Sequence, residues 1–245
     1  MTMVNEQELA NRLIERGRDL HEGERRTLGG VDNCYSLVND IERYPHAFVI
    51  GCVVDRRIRA EVAWAFPHRM QRHIRSFEFD EVYRRRRALK NYTSQHHVLG
   101  ESMGKCVHQA IEIMQRDYCG NASNIWNNEP SSAAVVYRLL RFPGVGPKIS
   151  TMAVNILARV FKVKFSDYYS VDISVDIHVK RVFSRLGLVE PGPSVEQIVY
   201  KARELCPTFP GLLDGPCWNI GRNWCTKNTP ACDNCYMRDV CPEAP

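Results

Sequence analysis

No stretch of this chain stays apolar long enough to cross a bilayer. The longest such run, Ala47 to Val54, falls far short of the ~20 residues a spanning helix needs. The opening residues, MTMVNEQELANRLIERG, lack the basic start and apolar core of a secretory signal. An intracellular, reducing setting is therefore expected, nucleoid or nucleus according to the host, with no membrane partner. No repeat of solenoid period stands out. Pro and Gly, 13 and 15 of 245 residues, are too few for a disordered, low-complexity chain. Strand signals are scarce as well. Only Val163 to Val175 is β-branched and aromatic enough to hold a strand, and no partner strand is visible. The length suffices for one large domain or two small ones. The net charge of +5 suits a nucleic-acid partner, although a metabolic enzyme could carry the same balance.

Helical periodicity fills the rest. Apolar residues recur at helical spacing from Glu6 to Arg16. A Tyr-Pro pair opens the apolar helix Tyr44 to Val54, which runs on into Arg59 to Phe66. Glu78 to Leu89 reads as one charged helix. Met103 to Tyr118 sets Val107, Ile111 and Met114 on one side, with Gly120 as a stop. Ser131 and Ser132 offer a cap for Ala133 to Arg141. Ile149 to Phe161 follows a Gly-rich turn. Asp176 to Leu186 and Val195 to Leu205 complete the series, the latter opened by Pro193 and Ser194. The fold class is all-α with a small cysteine-rich tail.

Cysteine is not scarce, and four of the ten crowd the end of the chain: Cys225, Cys232, Cys235 and Cys241, spaced C-x6-C-x2-C-x5-C. Thiolates are soft ligands that suit zinc or iron–sulfur. Zinc sites usually pair two C-x2-C units across a longer spacer, and only one such unit is present. Read with the rest of the chain, the spacing favours a [4Fe–4S] cluster over zinc, and the lack of a secretory signal argues against disulfides. Cys34, Cys52, Cys106, Cys119, Cys206 and Cys217 read as buried small apolar residues, Cys217 being near enough to the tail to serve as a spare ligand.

Leu139 to Ile149 reads LLRFPGVGPKI. Gly144 and Gly146 permit positive φ and close backbone approach around Val145, and Pro147 suits the first turn of a helix. Amides of such a turn, together with a helix N-terminus, make a phosphate site. The same string could be a simple helix–helix turn. Lys148 follows directly. Downstream, SVDIHVKR places Asp176 at the N-cap of the next helix.

Taken in order, FPGVGPK, VDIH and the four-cysteine tail resemble endonuclease III, a member of the helix–hairpin–helix DNA glycosylase superfamily. The likeness is dense from about Met103 to Cys241 and thin before it. It implies two helical domains with a DNA-facing cleft: residues 45–170 as a barrel carrying the hairpin, and residues 1–44 plus 171–245 as a second domain holding the cluster. Lys148 falls on the nucleophilic lysine and Asp176 on the catalytic aspartate. Glycosidic cleavage builds positive charge on the sugar, which a carboxylate stabilises. A neutral amine attacking C1′ gives a Schiff base, and β-elimination then cuts the strand. The resemblance therefore implies a base-excision-repair DNA glycosylase with AP lyase activity, acting as a monomer on double-stranded DNA that carries a lesion or abasic site. A monofunctional glycosylase, with Lys148 contacting phosphate only, and a noncatalytic iron–sulfur damage sensor are the alternatives. The four thiolates would leave no open position, so the cluster is expected to be structural.

Lys148 and Asp176 stand 28 positions apart, farther than the family usually shows. The extra segment is either a surface loop or a DNA contact, and it adds a rival carboxylate, Asp172. Arg56 and Arg57 lie where relatives carry a glutamine that fills the gap left by a flipped nucleotide. Lys227, between the first two tail cysteines, sits where relatives contact phosphate. The run Arg84 to Arg87 reads first as a solvated helix face, and His96 and His97 as surface residues. The pocket that would choose the base draws on the first half of the chain, where the resemblance is weakest.

Overall fold

The computed structural model describes residues 6–24, 27–29 and 32–245, and the described residues form helices and turns without a strand. No helix among them is long and apolar enough to cross a membrane. Contacts divide the chain into two compact units. One contains Arg25–Pro130 and Ala134–Ala153; the other contains Met1–Glu24, Ser131–Ala133 and Val154–Pro245. These boundaries differ from divisions after residues 44 and 170.

In the first of these units, α2 (Ser36–Asn39), α3 (Pro45–Val54), α4 (Ala60–Trp64), α5 (Phe66–Ile74), α6 (Phe79–Arg84), α7 (Arg86–His96) and α8 (Gly100–Tyr118) follow in order. All ten residues of α3 are buried, as expected of a helix that is apolar on every side. It packs against α2, α4, α5 and α8. Phe48 stacks on Trp64 with ring centroids 5.9 Å apart. Gly51 brings α3 onto that indole, because a Cβ there would lie 2.8 Å from the Trp64 ring. Gly104 does the same for α7 and α8, where a Cβ would come within 2.6 Å of the Lys90 carbonyl oxygen. His46 is buried and its Nε2 donates to the Phe77 carbonyl at 2.8 Å. The helix expected over 78–89 is two helices, broken at Arg85 (φ −92°, ψ 11°), and the second runs on to His96.

Helices α9 (Ser132–Leu140) and α10 (Pro147–Arg159) contribute residues to both units. The other unit adds α1 (Glu6–Glu22), α11 (Ile177–Arg185), α12 (Val195–Leu205) and α13 (Asp214–Asn223). Helix α12 starts in a full capping box between Ser194 and Gln197, which satisfies two otherwise orphaned N–H groups. Gly17 lets α1 lie directly on the 210–213 turn. Residues 160–175 form neither a strand nor a free surface loop. Phe165, Val171, Ile173 and Val175 are buried. The backbone there is bonded piecemeal: Ser170 N–H to Ser132 Oγ at 3.1 Å, Ser174 N–H to Asp214 Oδ1 at 2.8 Å, and the Asp172 carbonyl to Asn155 Nδ2 at 2.9 Å. Side chains thus satisfy polar groups that a sheet ladder would otherwise have to pair.

Candidate nucleic-acid interface and cysteine centre

Between α9 and α10 the chain turns tightly. Phe142 N–H donates to the Leu139 carbonyl and Val145 N–H to the Phe142 carbonyl, both at 3.0 Å. Gly144 has φ +88°, and a Cβ there would press within 3.2 Å of both an Arg56 guanidinium nitrogen and Cys106 Sγ. Gly146 is different: a Cβ would meet nothing within 4 Å, so the space beside its α-carbon is open. Val145 is buried and pins the turn, while Lys148, in the first turn of α10, is exposed. The turn has the geometry that lets backbone amides approach an external phosphate.

The loop after α3 lies against this turn. Arg56 reaches Gly144. Arg57 is exposed and holds φ +57°, a left-handed conformation uncommon for a bulky residue and suggestive of a functional constraint. Asp55 is half-buried; burial raises its carboxyl pKa, and the Lys148 charge pulls the other way. His97 is buried, contrary to the surface position expected. Its Nε2 lies 3.0 Å from the Val54 carbonyl, and its Nδ1 accepts from Leu99 N–H at 3.1 Å. Nε2 therefore donates and the ring is neutral. Burial, aided by the nearby Arg56 charge, keeps the imidazole pKa low. The next residue, Val98, is 67% exposed. Sequence reasoning missed this apolar tip, which only the anchored histidine beside it makes conspicuous.

In the other unit, Asp176 caps α11. Its Oδ1 accepts from His178 N–H and Val179 N–H, both at 2.8 Å, as expected from the sequence. The rival Asp172 is engaged elsewhere, held by a bidentate pair with Arg203 at 2.8 Å. A second carboxyl unforeseen in the sequence, Asp214, is buried beneath Ser174; burial raises its pKa, and the Arg159 charge opposes that rise. It fixes the backbone two residues before Asp176.

All ten cysteines are free. Cys225, Cys232, Cys235 and Cys241 line one cavity with Trp224, Ile220 and Met237. No set of three His, Cys, Asp or Glu among the described residues is arranged as a formed metal site. The donor chemistry nevertheless fits a thiolate-held cluster, because the four cysteines line one shared pocket. Arg185 Nη1 lies 3.3 Å from Cys225 Sγ and donates to the Thr226 carbonyl at 2.7 Å, while its Nη2 donates to the Lys227 carbonyl at 3.0 Å. Lys227 itself is exposed. Of the remaining six, Cys52, Cys106, Cys206 and Cys217 are buried, Cys34 is half-buried and Cys119 is exposed at the C-terminus of α8, correcting the uniform burial expected.

Of the arginine run, Arg84 and Arg85 both pair with Glu81, and Arg86 pairs with Glu112. These three are structural partners on the surface.

No family model matches the chain. It is 24% identical over 222 residues to endonuclease III-like protein 1 of Gallus gallus, covering 88% of this chain and 70% of that protein. The Bos taurus protein of the same name is 29% identical over 146 residues, covering 57% of this chain and 40% of the bovine one. Among solved structures, a non-covalent endonuclease III–DNA complex superimposes with a TM-score of 0.64 at 19% identity, covering 99% of this chain and 97% of that one. A thermostable thymine-DNA glycosylase gives 0.64 at 16% identity, covering 97% of each. At such identities the structural likeness is one of fold. Sequence and fold point the same way: the chain is similar in sequence to endonuclease III-like proteins and shares its fold with the endonuclease III and thymine-DNA glycosylase structures.

Proposed function

We propose that the protein is a base-excision-repair DNA glycosylase with AP lyase activity, in which Lys148 supplies the amine and Asp176 the carboxylate. The observation that carries this reading is the hairpin. Gly146 leaves a backbone open to a phosphate, and the exposed Lys148 stands two residues beyond it. The Gly144–Val145–Gly146 turn, with Arg56, Arg57 and Lys227, grips the strand through phosphates rather than base edges. Asp176 stabilises the positive charge that grows on the sugar as the base leaves. The Lys148 amine, once deprotonated, bonds to C1′ as the base departs with the glycosidic electron pair; the C1′–O4′ bond then opens, O4′ taking the amine's proton, and the resulting iminium acidifies a C2′ proton. Loss of that proton expels the 3′ phosphate and cuts the strand.

Cys225, Cys232, Cys235 and Cys241 would hold a [4Fe–4S] cluster. Bound there, it would supply a rigid tail rather than a reacting centre. A brown preparation with about four irons per chain is expected; a colourless, zinc-loaded one would reject the cluster.

Borohydride trapping on abasic duplex DNA tests the lyase reading. A covalent adduct is expected, and it should vanish in Lys148→Ala. No adduct, or one that survives the substitution, would reject Lys148 as nucleophile and leave it a phosphate contact.

A further inference from the structure

The charge of this protein is concentrated in one place. Residues 66–96 hold eight Lys and Arg against three acidic residues, a net +5 that equals the charge of the whole chain. Two helices carry most of it. Neither α5 (FPHRMQRHI) nor α7 (RRALKNYTSQH) contains a single carboxylate. They are neighbours, joined by rings: His73 lies 4.9 Å from Tyr92 between centroids, Phe66 lies 6.0 Å from Tyr92, and Tyr92 stacks on His96 at 4.2 Å.

Six of the seven arginines here divide into two classes, and the seventh, Arg87, is exposed on α7. Arg84 and Arg85 share Glu81, and Arg86 pairs with Glu112. Arg69, Arg72 and Arg75 are exposed, and none is paired with a carboxylate among the described residues. Arg69 and Arg72 sit one turn apart on α5, on the side that carries His73, and Arg75 follows at its left-handed C-cap (φ +67°). Unpaired like charges held together repel one another, and folding gains nothing from keeping them so. An external polyanion would relieve that repulsion. The ring contacts fix α5 against α7, so the backbone that carries these arginines is set before any ligand arrives.

The patch is continuous with the hairpin inside one unit. Helix α7 ends at His96; His97 bonds to the Val54 carbonyl, and Arg56, two residues beyond Val54, lies on Gly144. We propose that the α5–α7 face is a second track for the phosphate backbone of duplex DNA, engaging the flank of the site rather than the lesion. Guanidinium groups presented from one helix face suit the phosphates of a nucleic-acid backbone. The inference rests on the hairpin being a DNA grip, but not on any chemistry at Lys148.

The test is a salt titration of affinity for undamaged duplex, by fluorescence anisotropy, using the full chain. Each phosphate neutralised contributes ~0.9 to the slope of log affinity against log salt. Arg69→Ala/Arg72→Ala/Arg75→Ala should therefore lower the slope by ~2.7 on a long duplex if each meets one phosphate. On a duplex of about one helical turn, ~10 base pairs, the loss should be much smaller. Arg84→Ala/Arg85→Ala, which removes arginines already paired to Glu81, should leave the slope nearly unchanged. A triple variant with wild-type slope on the long duplex would overturn the track, as would an equal fall in the Arg84/Arg85 variant. Borohydride trapping on a short abasic duplex should be the same in wild type and triple variant. If trapping fails in the wild type, the lyase reading falls while the salt slope still decides the track.

Discussion

Asp176→Asn and Asp176→Ala should part company in two assays. The aspartate accepts two helix N-terminal N–H groups through one oxygen, each at 2.8 Å. Asparagine keeps an acceptor oxygen at that position and is as good a cap; it loses only the charge that favours a helix N-terminus, about 0.3–1 kcal/mol. Alanine removes the acceptor and leaves both donors to solvent, at a cost of about 1–2 kcal/mol. In a protein of this size one kcal/mol moves Tm by ~2–4 °C, so Ala should lower Tm by ~2–8 °C and Asn by ~4 °C at most. Base release behaves differently. Both variants lack the carboxylate that would stabilise the sugar cation, and removal of one such electrostatic partner costs ~100- to 1000-fold. Thermal melts and single-turnover base release on a lesion duplex, run on the same preparations, separate the two duties. Base release by Asp176→Asn at the wild-type rate would refute the catalytic assignment and leave the residue a cap alone. Equal stability of Ala and wild type would refute the cap energetics.

Two further substitutions and a pH dependence follow from the same geometry. Gly146→Ala should fold with unchanged Tm, since its Cβ meets nothing within 4 Å, yet bind abasic duplex more weakly because the methyl stands where a phosphate would approach. Gly144→Ala should instead lose at least about 1 kcal/mol from positive φ, with Arg56 and Cys106 both at 3.2 Å from the new carbon; urea melts and anisotropy of the pair resolve the two effects. Burial pushes the His46 pKa down to about 4, against ~6.5 in an unfolded chain. The folded protein therefore binds fewer protons, so this contribution is complete above pH ~6.5 and declines by up to about 3 kcal/mol as pH falls toward the folded value. His46→Gln should flatten that decline in urea melts across the acid range.

Periodic helices were readable from the sequence, while several junctions were not. Helix α12 matches its expected bounds of Val195 to Leu205 because a capping box marks its start, and α11 ends within a residue of expectation because Asp176 announces it. Helix α13 escaped notice: DGPCWNIGRN mixes Gly and Pro with no clean apolar stripe, and its helicity depends on packing against α1 and α11. Helix α5 was hidden by Pro67, which sits harmlessly in its first turn. Val163 to Val175 has strand composition, but its buried valines pack without a ladder because Ser132, Asn155 and Asp214 satisfy its backbone. Those partners lie up to 40 residues away, beyond the reach of local pattern. For the site, the hairpin, the cap and the four cysteines were legible as motifs. His97 and Val98 were not, since their importance comes from a contact with the end of α3.

The segment 160–175 also has a kinetic signature. Slow amide exchange is ordinarily read as helix or sheet, yet here the amides of Ser170 and Ser174 are held by a hydroxyl and a carboxylate. Deuterium should therefore enter a stretch without regular structure as slowly as it enters neighbouring helix interiors, and a single Ser132→Ala replacement should release the Ser170 amide while leaving those helices protected. In such a stretch, order is a property of individual side-chain clasps, and it would be lost clasp by clasp.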